Sequence, residues 1–201
     1  MHEEPKQKLL LATTNPAKAK EYAELLADLN VEIITLADLP DVRPVEEDGA
    51  TLAENAMKKA RGYFSQFGLP LIADDGGLLI DALGGEPGVK SNRWLGRPAT
   101  DEELVRYALE KLKNCPREKR TARLATTAVF YDGKNSASAT AEIAGDIVTE
   151  MPEIKEKGFP WRAILFLPEF GKLYQDLNES EHEKINHRRK IVKELKAKIR
   201  S

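Results

Sequence analysis

Apolar positions in this chain fall into short runs separated by polar stretches of helical period, the pattern of a protein that alternates strands and helices. Residues 8–13 read as a short, fully buried strand and 31–36 as a second. Between them Ala19, Tyr22, Ala23, Leu25 and Leu26 predict a helix over 17–29, with Asn15 as N-cap and Pro16 at its first position. Thr51, followed three residues later by Glu54, has the capping-box pattern and opens a helix to about Phe67, which Gly68-Leu69-Pro70 ends. The central strand follows at 71–75, then a glycine-rich loop at 82–89. Residues 100–113 form an amphipathic helix with Leu104, Ala108, Leu109 and Leu112 inward. Long strands at 123–131 and 138–148, joined at Asp132-Gly133-Lys134, predict a hairpin. A loop at 157–162, a strand at 163–167 and a helix from Ser180 to about Lys198 complete the chain.

Chemistry concentrates where the apolar run Leu71-Ile72-Ala73 meets Asp74-Asp75-Gly76-Gly77. Adjacent carboxylates repel, and a divalent cation is the simplest way to make the pair favourable; Mg²⁺ takes one or two carboxylates together with phosphate oxygens. The two glycines are expected to turn the backbone and leave space beside the acids. The alternative is that one acid caps a turn while the other is solvated. The turn Thr13-Thr14-Asn15-Pro16 joins a strand to a helix N-terminus, a natural anion site with Lys18 one turn in; the alternative is a capped helix with a surface lysine. Glu46 and Glu47 lie just before a capped helix, as partners of its dipole or as metal ligands. Phe159 and Trp161 either stack a nucleobase or plug the edge of a core. His182, Lys184, His187, Arg188 and Arg189 read as a solvated basic face of the last helix.

Composition narrows the field. A chain of 201 residues, 41% hydrophobic and 32% charged, fits a single globular domain over 1–201. A net charge of -2 gives no footprint for nucleic acid or a membrane surface. No signal-peptide or membrane-span pattern is found. One cysteine, Cys115, fits a reducing cytoplasm, and with His2, His182 and His187 as the only histidines a zinc site is not expected.

Taken together, the motifs resemble the Ham1-like family, the inosine triphosphate pyrophosphatases that remove non-canonical purine nucleotides. The resemblance is carried by residues 10–18, 46–56 and 73–78, by Ala82-Leu83-Gly84-Gly85-Glu86-Pro87-Gly88-Val89-Lys90-Ser91, and by Ile185-Asn186-His187-Arg188, in family order over nearly the whole chain. It implies an elongated α/β fold: a twisted mixed sheet flanked by helices, with two lobes around a central cleft. It also implies a homodimer that hydrolyses a nucleoside triphosphate to monophosphate and pyrophosphate with Mg²⁺. Asn15 and Lys18, with Thr13 and Gly76 nearby, would then hold the triphosphate, and Glu47 and Asp75 the metal. Asp75, with Asp74 beside it, would activate water. His187 and Arg188 would reach the base, and Phe159 would stack on it. Three departures stand out. Arg162 replaces the family's acid in the segment after Phe159, His182 stands where the family has lysine with Lys184 two positions on, and Gly76 replaces a serine. Two alternatives therefore remain open at this stage: the same hydrolysis on another base, and a nucleotide sensor without turnover.

Overall fold

The computed structural model describes residues 6–199; His2 lies outside them. Seven strands are hydrogen-bonded into one mixed sheet, in the order β2-β1-β3-β4-β5-β6-β7. They are β1 (Gln7–Leu11), β2 (Val31–Thr35), β3 (Leu71–Ile80), β4 (Thr121–Tyr131), β5 (Ser136–Ile147), β6 (Leu165–Leu167) and β7 (Lys172–Leu173). The helices are α1 (Pro16–Leu25), α2 (Leu52–Phe67), α3 (Asp101–Lys111), α4 (Pro160–Ile164), α5 (Glu179–Ile185) and α6 (His187–Ile199). β1 pairs in parallel with both β2 and β3, whereas β6 pairs antiparallel with β5 and β7. The expected mixed sheet flanked by helices is therefore present. No helix among the described residues is long and apolar enough to cross a membrane.

The chain divides into two compact units. Of the described residues, the first comprises 6–75, Thr127–Thr140 and 188–199. Its core packs Leu10, Ala12, Ile34, Leu71 and Ala73 against Ala56, Ala60 and Tyr63 of α2. Successive strand residues point to opposite faces, so Leu71, Ala73 and Asp75 share the face that looks toward α2. The second unit comprises Gly76–Thr126 and Ala141–His187. Its core gathers Leu78, Ile80, Val105, Ile143, Ile164 and Tyr174. Along β5, Ala139, Ile143, Gly145 and Ile147 are buried.

Several local expectations change. β3 does not stop at the acids: it runs through Asp74, Asp75 and both glycines to Ile80. Gly76 and Gly77 serve close approach rather than a turn. A Cβ on Gly77 would sit 2.2 Å from the Gly88 carbonyl oxygen, and one on Gly76 2.8 Å from Thr126 Oγ1. Thr51 accepts the Glu54 N–H as expected, but the Glu54 carboxylate takes the N–H of Ala50, so the box is not reciprocal. Residues 160–164, expected as loop and strand, form the short helix α4 because Pro160 presets its first turn. The last helix is two helices. Asn178, not Ser180, caps α5 in a reciprocal box with Glu181, and Asn186 (φ -50°, ψ 111°) ends α5 before α6 begins.

Candidate active site

In the first unit α1 begins as the sequence predicts. Asn15 Oδ1 accepts from the N–H groups of Ala17 (2.9 Å) and Lys18 (3.2 Å), and Thr13 Oγ1 accepts from Asn15 N–H (3.2 Å). The first helical N–H groups are thus occupied by the cap itself, where open donors were expected. What the helix start offers an anion is its dipole and the Lys18 side chain. Thr13 and Thr14, with Ala23, Leu36 and Val42, also line a cavity of about 550 Å³.

Lys18 reaches Asp74 and contacts both carboxylate oxygens, Oδ1 at 3.1 Å and Oδ2 at 3.0 Å. Arg188, from the start of α6, places Nε 3.5 Å from Asp74 Oδ2 and Nη1 3.2 Å from Glu21 Oε2. Burial alone would raise the Asp74 carboxyl, but Lys18, Arg188 and Lys59 outweigh it and hold it down at about 2. Burial, together with Arg188 and Lys59, lowers Lys18 against the pull of Asp74. Tyr22, buried beside this group, is pushed up by burial and by Asp74.

Asp75 leaves the strand on the other face and meets α2. Asn55 Nδ2 donates to Asp75 Oδ2 (3.0 Å), and Lys59 Nζ lies 3.7 Å from Asp75 Oδ1 and 3.2 Å from Glu47 Oε2. Burial raises the Asp75 carboxyl and Glu47 adds to the rise, while Lys59 and Asn55 only partly oppose them. Burial disfavours a charged Lys59, yet Asp74, Asp75 and Glu47 together raise it. The two adjacent acids are therefore not a mutually repelling pair awaiting one cation, as the sequence suggested. Each faces its own helix and its own lysine.

Glu47 and Asp75 converge on one positive centre, the Lys59 ammonium, and offer hard oxygen donors. Among the described residues no group of three or more His, Cys, Asp or Glu side chains is placed to hold a metal ion. A cation here would accordingly draw on two carboxylates plus its ligand's own oxygens, the donor set that suits Mg²⁺.

The second unit holds the other predicted residues. Arg162 is almost fully buried, with its guanidinium 3.8 Å from the Phe159 ring centre, 4.9 Å from that of Tyr174, and Nη1 2.8 Å from Glu156 Oε2. His182 stacks on Tyr174 with ring centres 5.3 Å apart, and its Nδ1 lies 3.4 Å from Asn186 Nδ2. His187 has no exposed surface, and its Nε2 lies 3.0 Å from Thr126 Oγ1. Trp161 packs in the core, edge-on to Trp94 at 6.3 Å. Lys184 is exposed. The basic face expected to be solvated is thus solvated only in part, since His187 and Arg188 are buried.

Lys59, Asn55 and Glu21 were not singled out as site residues in the sequence. Spacing was the available signal: Asn55 and Lys59 are four apart on α2, and Lys18 and Glu21 three apart on α1, so each pair shares a helix face.

The family model described as the Ham1 family matches residues 9–198. The chain belongs to the Ham1 family. Among curated relatives, a dITP/XTP pyrophosphatase of Listeria monocytogenes is 38% identical over 94% of this chain and 92% of its own length. One from Haemophilus influenzae is 39% identical, covering 96% of this chain and all of its own length. Among solved structures, a Ham1 protein of Coxiella burnetii matches with a TM-score of 0.81 at 31% identity, over 96% of this chain and 98% of that one. The Staphylococcus aureus Ham1 protein gives the same TM-score at 27% identity.

Proposed function

We propose that this Ham1 chain is a nucleoside triphosphate pyrophosphatase that hydrolyses ITP, XTP and dITP to the monophosphate and pyrophosphate, cleansing the nucleotide pool. One observation carries the reading: adjacent acids of one strand hold opposite electrostatic positions. Asp74 is fixed as an anion against Lys18, while Asp75 is raised by burial beside Glu47. A carboxyl raised toward neutrality is the better proton acceptor, and a clamped carboxylate is the better anchor for a phosphate-binding lysine. The names of the curated relatives support the same activity.

In this scheme the water oxygen bonds to the α-phosphorus and its proton passes to Asp75. The bond to the bridging oxygen breaks, and pyrophosphate leaves. Lys18 and the α1 dipole neutralise charge on the phosphates, and Asn15 keeps the turn in shape. Glu47 and Asp75 would hold Mg²⁺, which supplies further neutralisation of phosphate charge. Lys18, Lys59 and Arg188 are engaged with Glu21, Glu47, Asp74 and Asp75, and Mg²⁺ would add positive charge for a triphosphate here. We further infer a single domain of two units, a homodimer, as the family resemblance implies, and a cytoplasmic setting, with which the lone Cys115 accords.

A second reading keeps the hydrolysis and shifts the base preference. Arg162 against Phe159 favours it, because the guanidinium covers part of the ring proposed to stack a base and offers only donors, suited to keto oxygens. The test of both is pyrophosphate release from ITP, XTP, dITP, GTP, ATP and UTP, with and without Mg²⁺. Mg²⁺-dependent turnover led by ITP and XTP supports the main reading. Turnover led by another nucleotide supports the second, and no turnover of any nucleotide overturns both.

A further inference from the structure

Residues 42–49 form no regular structure, yet the part of this segment that carries Glu47 is held residue by residue. Lys59 pairs with Glu47 at 3.2 Å, Lys58 with Asp48, Asn55 with Gly49 at 2.8 Å, and the Glu54 carboxylate with the Ala50 N–H at 2.7 Å. Four successive loop residues are thus matched by four side chains of α2 in reverse order. Asn55 differs from its neighbours. It has no exposed surface, and it also donates through Nδ2 to Asp75 Oδ2 at 3.0 Å. Its amide has one workable orientation. The Gly49 N–H can only donate, so it takes Oδ1 and turns the Nδ2 donor toward the carboxylate. The fit is close on the loop side too, since a Cβ on Gly49 would sit 2.7 Å from Asn55 Oδ1. One neutral, buried side chain therefore ties the loop of Glu47 to the strand of Asp75. Lys59 joins the same two acids, but as a charge on a flexible stem that a divalent cation would repel. Asn55 carries no charge and would stay in place.

We propose that Asn55 is a positioning residue for the metal end of the site, which sets the spacing of Glu47 and Asp75 at which a divalent cation is held. The proposal rests on the reading above that these two acids hold Mg²⁺. Mg²⁺ demands near-ideal octahedral geometry, so a loosened loop costs affinity even with both carboxylates present. Partners that orient ligating side chains typically contribute about 10–100-fold in metal affinity.

The experiment uses the whole chain with Asn55→Ala, Gly49→Ala and Glu54→Ala. The dissociation constant of Mn²⁺, the probe for Mg²⁺, is read by electron paramagnetic resonance without nucleotide. The Mg²⁺ concentration for half-maximal pyrophosphate release from ITP is measured beside it. Asn55→Ala should raise both by about 10–100-fold. Gly49→Ala pushes on Asn55 from the loop side and leaves Asp75 untouched, and it should raise both in the same direction. Glu54→Ala removes the exposed tie to Ala50 and should leave the Mn²⁺ constant within about twofold. An unchanged constant in Asn55→Ala overturns the proposal, as does a loss in Glu54→Ala equal to that in Asn55→Ala. A wild-type chain that turns over ITP yet binds no Mn²⁺ also overturns it, and leaves the pyrophosphatase reading intact. A wild-type chain that binds Mn²⁺ but turns over no triphosphate overturns the pyrophosphatase reading, and its Mn²⁺ constants still decide the role of Asn55. Should Asn55→Ala not fold, Gly49→Ala decides it by the same constants.

Discussion

Replacing Asp74 with Asn should expose how the Lys18–Asp74–Arg188 group contributes to stability. The change is nearly isosteric, so packing is kept and only charge is lost. At neutral pH it leaves Lys18 and Arg188, 13% and 5% exposed, without the carboxylate between them. Removing one partner of a buried ion pair costs about 3–5 kcal/mol. The pH dependence is the sharper test. The Asp74 carboxyl is held at about 2 in the folded chain, against an ordinary value of 3.8. At about 1.4 kcal/mol per pH unit, that depression corresponds to about 2 kcal/mol of stability. Because the folded value is depressed, this contribution is fully present above 3.8 and is lost as pH falls through 2. Urea unfolding of wild type and Asp74→Asn should therefore show a gap that narrows by about 2 kcal/mol between pH 5 and pH 2. Other carboxylates titrate in both proteins and cancel in the difference. A gap that stays constant across that range would refute the clamp.

Asp75→Asn should lower kcat by about 10²–10⁴-fold while nucleotide binding by calorimetry persists; equal losses in turnover and binding would remove Asp75 as the base. Because burial raises Asp75, the metal-free wild-type chain should show, by NMR titration, a carboxyl above the ordinary value of about 4 that the asparagine variant lacks; no such carboxyl would remove the argument from burial. Gly76→Ser should destabilise by about 1–3 kcal/mol in thermal melts, since its Cβ would meet Thr126 Oγ1 at 2.8 Å. Adding Thr126→Ala should recover part of that loss, and strict additivity would show the two positions to be independent. Glu156→Gln should change the ITP-to-ATP preference more than the overall rate, because it frees the Arg162 guanidinium from its 2.8 Å partner; an unchanged preference in the turnover assay would set Arg162 aside.

Much of the fold was readable because its signals are local. Asn15 and Pro16 open α1, Thr51 opens α2 and Thr100 opens α3, each through side-chain and proline effects within four residues. The second half of β3 was not readable: Gly76-Gly77 is a turn signal locally, and only Thr126 and Gly88 across from them make glycine a requirement of close packing. The break at Asn186 was hidden for the opposite reason, since basic residues continue at helical spacing through a backbone that is extended at one position. At the site, Lys18, Glu47, Asp74 and Asp75 all emerged from the sequence, but their partners did not. Lys59 reaches Asp75 from 16 positions away and Arg188 reaches Asp74 from more than a hundred, separations at which no periodic pattern carries information.

The pairing of acids with lysines also bears on why an Asp-Asp step is useful in a strand. Two carboxylates adjacent in sequence on a helix or in a turn share one environment and one electrostatic fate. On a strand they project to opposite faces, and each is surrounded by the helix that covers its own face. Here α1 and α6 bring Lys18 and Arg188 to Asp74, while α2 brings Asn55 and Lys59 to Asp75. One dipeptide thereby supplies a carboxyl held well below its ordinary value and a carboxyl raised above it. The anchor and the proton acceptor proposed above would sit one residue apart with no need for a second loop to position either. That division of labour needs the extended backbone to continue past the acids, which is what Gly76 and Gly77 permit by letting Thr126 and Gly88 pack close against them.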